Sequence, residues 1–155
     1  MRPHSKSGGH WRSREIPRLS TTLGGCTHGA PQDYEKAVRW FRKAAEQGDS
    51  DAQTNLGSLY LLGDRIPQDY TEALKWLRAA ADQGHPFAQT KLGIMYEKGR
   101  GVPQDYVQAH MWFSLAFAQG SELAGAFRDE LTKQMAPAEI AEAQKLVREW
   151  NLKKE

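Results

Sequence analysis

The chain has 155 residues, of which 39% are hydrophobic and 26% charged, and its formal net charge is +2. These values are typical of one soluble folded domain. The single cysteine, Cys26, excludes an internal disulfide framework and a zinc site built from several cysteines. No stretch approaches the roughly 20 apolar residues of a membrane-spanning helix, so no membrane contact is predicted.

Residues 1–30 are rich in Ser, Gly, Arg and His, and carry five Lys or Arg residues against Glu15 alone. Because apolar residues do not recur there with a regular period, we expect a mostly disordered basic arm. The motif LGGC at 23–26 resembles a lipoprotein cleavage box, but the polar stretch before it is not an apolar signal core. No signal peptide is visible, and the compartment is not predicted. The scattered cations favour a solvated tail over a contact with nucleic acid.

One 18-residue peptide occurs three times along the rest of the chain. It runs PQDYEKAVRWFRKAAEQG at 31–48, PQDYTEALKWLRAAADQG at 67–84 and PQDYVQAHMWFSLAFAQG at 103–120, with a period of 36 residues. A segment repeated at constant spacing indicates a structural unit that stacks on copies of itself. Three of the five tryptophans recur within it, and we expect all three in the core: Trp40, Trp76 and Trp112.

The middle copy predicts two amphipathic helices, over 51–63 and 69–84. Gly63 would end the first, and Pro67 cannot continue it. Asp69 and Asp105 are predicted N-caps, each completing a capping box with the Glu or Gln three residues later. Asp33 is predicted to cap its helix without that partner. Glycines are expected to close the second helix of each copy: Gly48, Gly84 and Gly120.

Small and large residues alternate so that the two helices of a pair can pack closely. Gly57 and Ala73 leave room for the backbones to approach, while Tyr60, Trp76 and Leu77 fill the remaining space. A single helix pair cannot bury its apolar side alone, whereas stacked pairs can, which predicts an α-solenoid.

The C-terminal segment predicts a helix that closes the stack. In the third unit Arg128, Asp129 and Thr132 replace the repeated Leu, Gly and Tyr, so no further copy is expected. Pro137 then suits the first turn of a helix over 136–150. Four apolar residues would face inward (Ile140, Ala143, Val147 and Trp150) and four charged residues outward (Glu142, Lys145, Arg148 and Glu149).

The combined pattern, with its LG..Y..G and PQDY..A..W motifs at period 36, resembles the Sel1-like repeat (SLR), a branch of the tetratricopeptide-like repeats. The resemblance is strong over 31–120 and extends to about residue 152. It implies an all-α right-handed superhelix of antiparallel helix pairs with a C-terminal capping helix, acting as a scaffold for other proteins. We therefore expect an arm over 1–30, repeats over 31–135 and a capping helix and tail over 136–155.

The first copy departs from the family pattern. Ser20, Thr21 and Gly24 stand where the next copy has Leu56, Gly57 and Tyr60, so a first helix is not recognisable. One face of the helix near 33–47 would then be uncovered. Either the arm folds back over it through its apolar residues (Trp11, Ile16, Leu19 and Leu23), or a partner covers it, or an upstream repeat is missing, which we favour. Such a face could also support self-association.

No catalytic, cofactor or metal site is predicted. The chain has no HExxH motif, no cysteine pair and no glycine-rich loop after a strand. His110 has no ligand-type neighbour at helical spacing, and His85 precedes Pro86 in a turn, which favours a surface position. The repeated aspartates are too far apart in sequence for a paired-carboxylate mechanism.

In tetratricopeptide-like solenoids the first helix of each pair lines the concave groove, so the resemblance implies a partner-binding surface. By position it comprises Asp51, Thr54, Asn55, Ser58 and Leu61, then Phe87, Thr90, Lys91, Ile94 and Glu97, then Leu123, Ala126 and Glu130. Phe87 and Ile94 are the predicted apolar anchors, although periodicity does not exclude that both pack against the next helix. The mixed surface would suit a protein or peptide segment.

The predicted function is a protein–protein interaction scaffold or adaptor, and not an enzyme. Two alternatives stay open. The chain could be an accessory fragment of a larger exported or catalytic protein, or a structural module that self-associates through its uncovered N-terminal face.

Overall fold

The computed structural model describes residues 31–64 and 66–154 of the chain. This part folds into seven α-helices and contains no β-strand, which confirms the predicted all-α solenoid. The helices are α1 (Pro31–Glu46), α2 (Ser50–Leu62), α3 (Tyr70–Asp82), α4 (Pro86–Lys98), α5 (Tyr106–Ala118), α6 (Glu122–Thr132) and α7 (Pro137–Lys154). The predictions for the basic arm, the Cys26 motif and the first helix of the first copy lie outside the described residues.

The helices pack in chain order, each of α1 to α5 against the next one along the chain, and α7 packs against α5. The pairs α2 with α3 and α4 with α5 are the two complete repeats, and α1 is the second helix of the first copy. None of the helices in the described ranges is long and apolar enough to cross a membrane.

The predicted N-caps of the two complete copies are confirmed. Asp69 Oδ1 accepts hydrogen bonds from the backbone N–H groups of Thr71 (3.0 Å) and Glu72 (3.2 Å). Asp105 Oδ1 accepts from the backbone N–H of Gln108 at 3.1 Å. Each carboxylate therefore satisfies donors that the first helical turn leaves unpaired.

The reciprocal half of the capping box is wrong in both copies. The backbone N–H of Asp69 donates to the carbonyl of Tyr60 in the preceding helix (3.0 Å), and Asp105 makes the corresponding bond one repeat later. That donor is therefore already satisfied, and the Glu72 carboxylate instead accepts from the Trp76 indole N–H at 3.1 Å. The preceding helix thus replaces the local partner that the sequence suggested.

α1 begins at Pro31 and already includes Asp33, so this residue does not precede the helix as predicted, and its predicted side-chain cap lies outside the described part of the structure. In the later copies the equivalent Pro-Gln segment stays outside the helix, held by the glutamine side chain. Gln68 Nε2 donates to the carbonyl of Leu61 (2.8 Å), and Gln104 Nε2 to that of Glu97 (2.9 Å). Both carbonyls belong to the helix before, and the described ranges contain no helix before α1.

Glycines end the helices as predicted. Gly63 has φ of 67° and donates its N–H to the carbonyl of Leu59 at 3.1 Å, the left-handed termination that a side chain would strain. The glycines after the second helices also have positive φ: Gly48, Gly84 and Gly120.

The close approach of paired helices at small residues is confirmed. A methyl group on Gly57 would lie 2.7 Å from Leu77 Cγ and 3.2 Å from the Ala73 carbonyl oxygen. One repeat later, a methyl group on Gly93 would lie 2.5 Å from the ring of Phe113, which is fully buried. These positions therefore admit no side chain without displacing the core.

The three repeated tryptophans do not share one environment. Trp76 and Trp112 are 6% and 3% exposed, as predicted, but Trp40 is 54% exposed, so its prediction as a core residue is wrong. Trp76 packs with Phe41 and Leu56 of the preceding helices. Nothing equivalent precedes α1 in the described residues, which leaves the Trp40 face of α1 uncovered there.

The buried and exposed sides of the C-terminal helix agree with the prediction. Its length and its packing partner differ from what the repeat pattern suggests. It continues to Lys154, with Ala143 buried, Ile140, Val147 and Trp150 half-buried, and the four predicted outward-facing charged residues exposed. A regular second helix would pack on α6, yet α7 packs on α5, where Trp150 meets Trp112 edge to face at 6.5 Å between ring centroids. A gap therefore remains between α6 and α7.

Candidate functional site

The predicted partner-binding residues all lie on the first helices of the pairs, α2 and α4, and on α6. We call these thirteen residues the groove surface. Five are exposed: Asp51, Phe87, Leu123, Ala126 and Glu130. Six are half-buried: Asn55, Ser58, Leu61, Lys91, Ile94 and Glu97. Thr54 and Thr90 are buried.

Two large apolar side chains on this surface face solvent. Phe87 is 55% exposed and Leu123 is 58% exposed, and they occupy the same position in consecutive repeats. Neither belongs to the buried clusters or to the residues packed against them. The Lys91 ammonium lies 4.8 Å from the centre of the Phe87 ring, a cation–π contact on the same helix. Burial lowers the pKa of Lys91.

Other groove residues are turned toward the protein. Ile94, the second predicted anchor, packs against the cluster around Phe113, and Leu61 packs against the cluster around Leu77. The Thr54 and Thr90 hydroxyls donate to the carbonyls one turn earlier, at 2.8 Å and 2.9 Å. Both threonines are buried and donate within their own helices, so neither presents its hydroxyl proton to solvent on the groove surface.

A histidine joins the starts of α2 and α4. His85 is the N-cap of α4, where its Nδ1 accepts from the backbone N–H of Ala88 at 3.4 Å. The opposite ring nitrogen, Nε2, lies 2.8 Å from Oδ1 of Asp51. A neutral imidazole protonated on Nε2 satisfies both contacts. His85 is therefore a structural link between consecutive repeats.

Sequence reasoning missed a pair of buried glutamines between repeats. Gln53 Nε2 donates to the carbonyl of Ala45 (3.0 Å), and Gln89 Nε2 donates to that of Ala81 (3.1 Å). Each bond ties the first helix of a repeat to the end of the helix before it. The tripeptide Ala-Gln-Thr, present at 52–54 and again at 88–90, was the available signal.

The described part of the chain contains no group of three or more His, Cys, Asp or Glu side chains arranged to hold a metal ion. The arrangement on the groove surface offers contact and hydrogen bonding, with two exposed apolar side chains among mixed charges.

Comparison with known proteins places these features in a family. The model of the Sel1 repeat matches residues 23–49, 50–85 and 86–121. A protective antigen of uropathogenic Escherichia coli strains, whose structure displays an SLR fold, is 35% identical with a TM-score of 0.81. The match covers 94% of this chain and 31% of the antigen. A Sel1 repeat protein from Oxalobacter formigenes is 36% identical with a TM-score of 0.57, over 61% of this chain and 39% of that one.

This chain therefore spans about a third of the length of the solved structures it resembles. No curated protein matches the sequence significantly. Sel1 repeats are generally non-catalytic scaffolds for protein interactions. With three matched repeats and helix pairs stacked at a period of 36 residues, the chain belongs to the Sel1 repeat family.

Proposed function

We propose that this protein is an interaction scaffold that binds a segment of a partner protein along the groove surface of α2, α4 and α6. The observation that carries the proposal is the pair of exposed apolar side chains, Phe87 and Leu123, at one repeat position. Large apolar groups exposed at a regular spacing are costly in water, and they are typical anchors for a bound chain.

The groups beside these anchors support an extended or helical peptide as the ligand. Asp51, Glu97 and Glu130 bring carboxylates, and Lys91 and Asn55 bring donors, so the surface has no single sign of charge. A peptide would gain affinity from the two apolar contacts and direction from the polar ones. The mixed charge disfavours nucleic acid, which requires a basic face.

A phage-displayed peptide library, selected on the wild-type protein, tests the proposal. Peptides recovered in this way should lose at least about tenfold in affinity for Phe87→Glu and for Leu123→Glu, because each change places a charge at an apolar contact. Circular dichroism should be unchanged, since both side chains are more than half exposed.

Leu152→Glu is the matched control, because Leu152 is equally exposed but lies on α7, away from the groove surface. If the selected peptides bind Phe87→Glu and Leu123→Glu as tightly as Leu152→Glu, the groove surface is not where they bind. If Phe87→Glu unfolds the protein, Phe87 is a core residue and the anchor assignment fails.

Self-association is a second candidate, and the exposure of Trp40 favours it. The equivalent tryptophans of the next two copies pack against the helices before them, whereas the Trp40 face of α1 is not covered by any described residue. A second copy could cover it. Light scattering after size exclusion should then show a dimer that Trp40→Glu converts to a monomer, and a monomer at all concentrations would exclude this candidate.

A further inference from the structure

A cavity of about 480 Å³ opens between α5, α6 and α7, outside the groove surface. We call it the C-terminal pocket. It exists because α7 packs more closely on α5 than on α6, which leaves space beside Arg128 and Thr132. The volume falls within the range of small-ligand sites. At 100° per residue, Arg128 and Thr132, which line the pocket, lie on the opposite side of α6 from Leu123 and Glu130 of the groove surface.

A substitution between repeats explains why the space is open. In the earlier copies an arginine of the second helix bonds a tyrosine hydroxyl of the next helix. Arg78 Nη2 donates to the Tyr96 hydroxyl at 2.7 Å, and Arg42 makes the same bond to Tyr60. At the corresponding positions of the third copy stand Ser114 and Thr132, and both line the pocket. Two large side chains are thus replaced by two small hydroxyls.

Two arginines give the pocket a positive wall. Arg128 and Arg148 both line it, and the lining contains no Asp or Glu. Arg128 occupies the position of the buried Leu56 and Leu92, so a cation replaces a core leucine. Its guanidinium stacks on the Phe117 ring at 4.6 Å, and its Nε and Nη2 donate to Asp129 at 3.3 Å and 3.2 Å.

The positive charge of Arg148 is less neutralised by nearby carboxylates than that of Arg128. It has no ion-pair partner among the described residues. Arg128 also keeps donors to spare, because a guanidinium has five N–H groups and Asp129 accepts from only two of its nitrogens. Both side chains can therefore donate to an anion in the pocket.

A polar pair, the buried His110 and the half-buried Ser114, supplies the pocket with further hydrogen-bonding groups. His110 is only 4% exposed, and its Nδ1 lies 3.4 Å from Ser114 Oγ. Its Nε2 has no hydrogen-bond partner among the described residues. The equivalent positions in the other copies are apolar, Leu74 and Val38, so the imidazole is specific to the copy that forms the pocket.

We propose that the C-terminal pocket binds a carboxylate attached to a small aliphatic group. The arginines would pair with the carboxylate, which matches the planar guanidinium in a two-pronged contact. Ile140 and Val147 line the pocket as well and would contact the aliphatic part. This apolar contribution favours an organic acid over inorganic phosphate. Such a group occurs on free short-chain acids and at the carboxyl end of peptides.

Nuclear magnetic resonance titration of the full chain tests the proposal with four probes. They are isovalerate, N-acetyl-glycyl-leucine with a free carboxylate, the same dipeptide as its amide, and inorganic phosphate. We expect the free carboxylates to shift the methyl resonances of Ile140 and Val147 and the amide to leave them unchanged. Tighter binding of isovalerate indicates a free acid as ligand, and tighter binding of the dipeptide indicates a peptide end.

Two variants assign the binding to the pocket. Arg148→Gln removes an exposed cation and should weaken carboxylate binding at least about tenfold. Arg39→Gln, an exposed arginine on α1, is its matched control and should bind as the wild type does. Ser114→Arg combined with Thr132→Tyr restores the pair found in the other copies and should close the pocket, which abolishes the shifts.

Three results would overturn the proposal. The amide could bind as well as the acid, phosphate could bind where no carboxylate does, or none of the probes could shift the two methyl resonances. Unchanged affinity of Arg148→Gln for the carboxylates would also contradict the proposal, because it would show that Arg148 does not bind them. This result does not depend on whether the double variant folds.

Discussion

Trp76 and Trp40 allow the stacking of helix pairs to be measured with one substitution at one repeat position. The two side chains differ by about half of their surface in exposure, 6% against 54%. Half of a tryptophan surface of ~250 Å² is ~120 Å², which at ~25 cal/mol per Å² amounts to ~3 kcal/mol. We therefore expect Trp76→Ala to lower the free energy of unfolding by about 3–5 kcal/mol. Trp40→Ala should cost about 3 kcal/mol less.

Urea unfolding followed by circular dichroism at 222 nm provides both values. Because the chains differ only in which copy is truncated, any general effect of losing a tryptophan cancels in the difference. Equal losses would mean that the face of α1 is covered as well as that of α3, and that the Trp40 face is not open. A loss below about 1 kcal/mol for Trp76→Ala would show that stacking does not bury this side chain.

Three further outcomes are expected. Gly93→Ala should destabilise the protein, because the added methyl group would overlap the Phe113 ring. This loss should exceed the gain of about 1 kcal/mol that alanine brings to a helix. A higher melting temperature in calorimetry would contradict this prediction. Asp69→Ala should cost about 1 kcal/mol in urea and Asp69→Asn much less, since asparagine keeps the cap; equal losses would show that the cap bonds contribute little. Burial and the nearby Arg128 lower the pKa of His110 below 6.5, so the unfolded chain takes up this proton first. The contribution of His110 to stability is therefore present above about pH 6.5. It declines as the pH falls through 6.5 toward the lower pKa of the folded state. His110→Leu should remove this part of the loss of stability between about pH 7.5 and pH 5.5.

The repeat and its helices could be predicted because their causes are local. The left-handed conformation of Gly63 ends the helix before it, and the Asp69 carboxylate caps the helix after it. Both effects depend only on residues close in sequence, so they can be predicted without the tertiary structure. The period of 36 residues then fixes which side chains recur, and the small residues Gly57 and Ala73 predict where the two helices approach closely, whereas the contact of Gly57 with Leu77 comes from the structure.

The errors arose where a neighbouring repeat decides the outcome. The capping box failed at Asp69 because the carbonyl of Tyr60, in the helix before, already accepts its N–H. Trp40 is predicted in the core because it occupies the repeat position of Trp76 and Trp112, but burial at this position depends on a preceding helix, and none precedes α1 in the described residues. The exposure of such a side chain therefore depends on the neighbouring repeats and not on the sequence of its own repeat.

The candidate sites were predictable only in part for the same reason. The repeat pattern predicts Phe87 and Ile94 on the same helix face and does not distinguish an exposed side chain from a packed one. The structure makes this distinction, because Ile94 packs against the cluster around Phe113 and Phe87 does not. The C-terminal pocket was missed altogether, because Ser114 and Thr132 lie 18 residues apart and their significance appears only when the bonded Arg–Tyr pairs of the earlier copies are seen beside them.

The crossing of α7 over α5 makes the two ends of the described stack unequal. At the α1 end no described residue covers the Trp40 face, whereas at the other end α7 packs on α5 and its Trp150 meets Trp112. Two copies that join through the Trp40 face would contribute the same surface to the contact. Such contacts close on themselves as two-fold pairs, and they do not propagate into a filament.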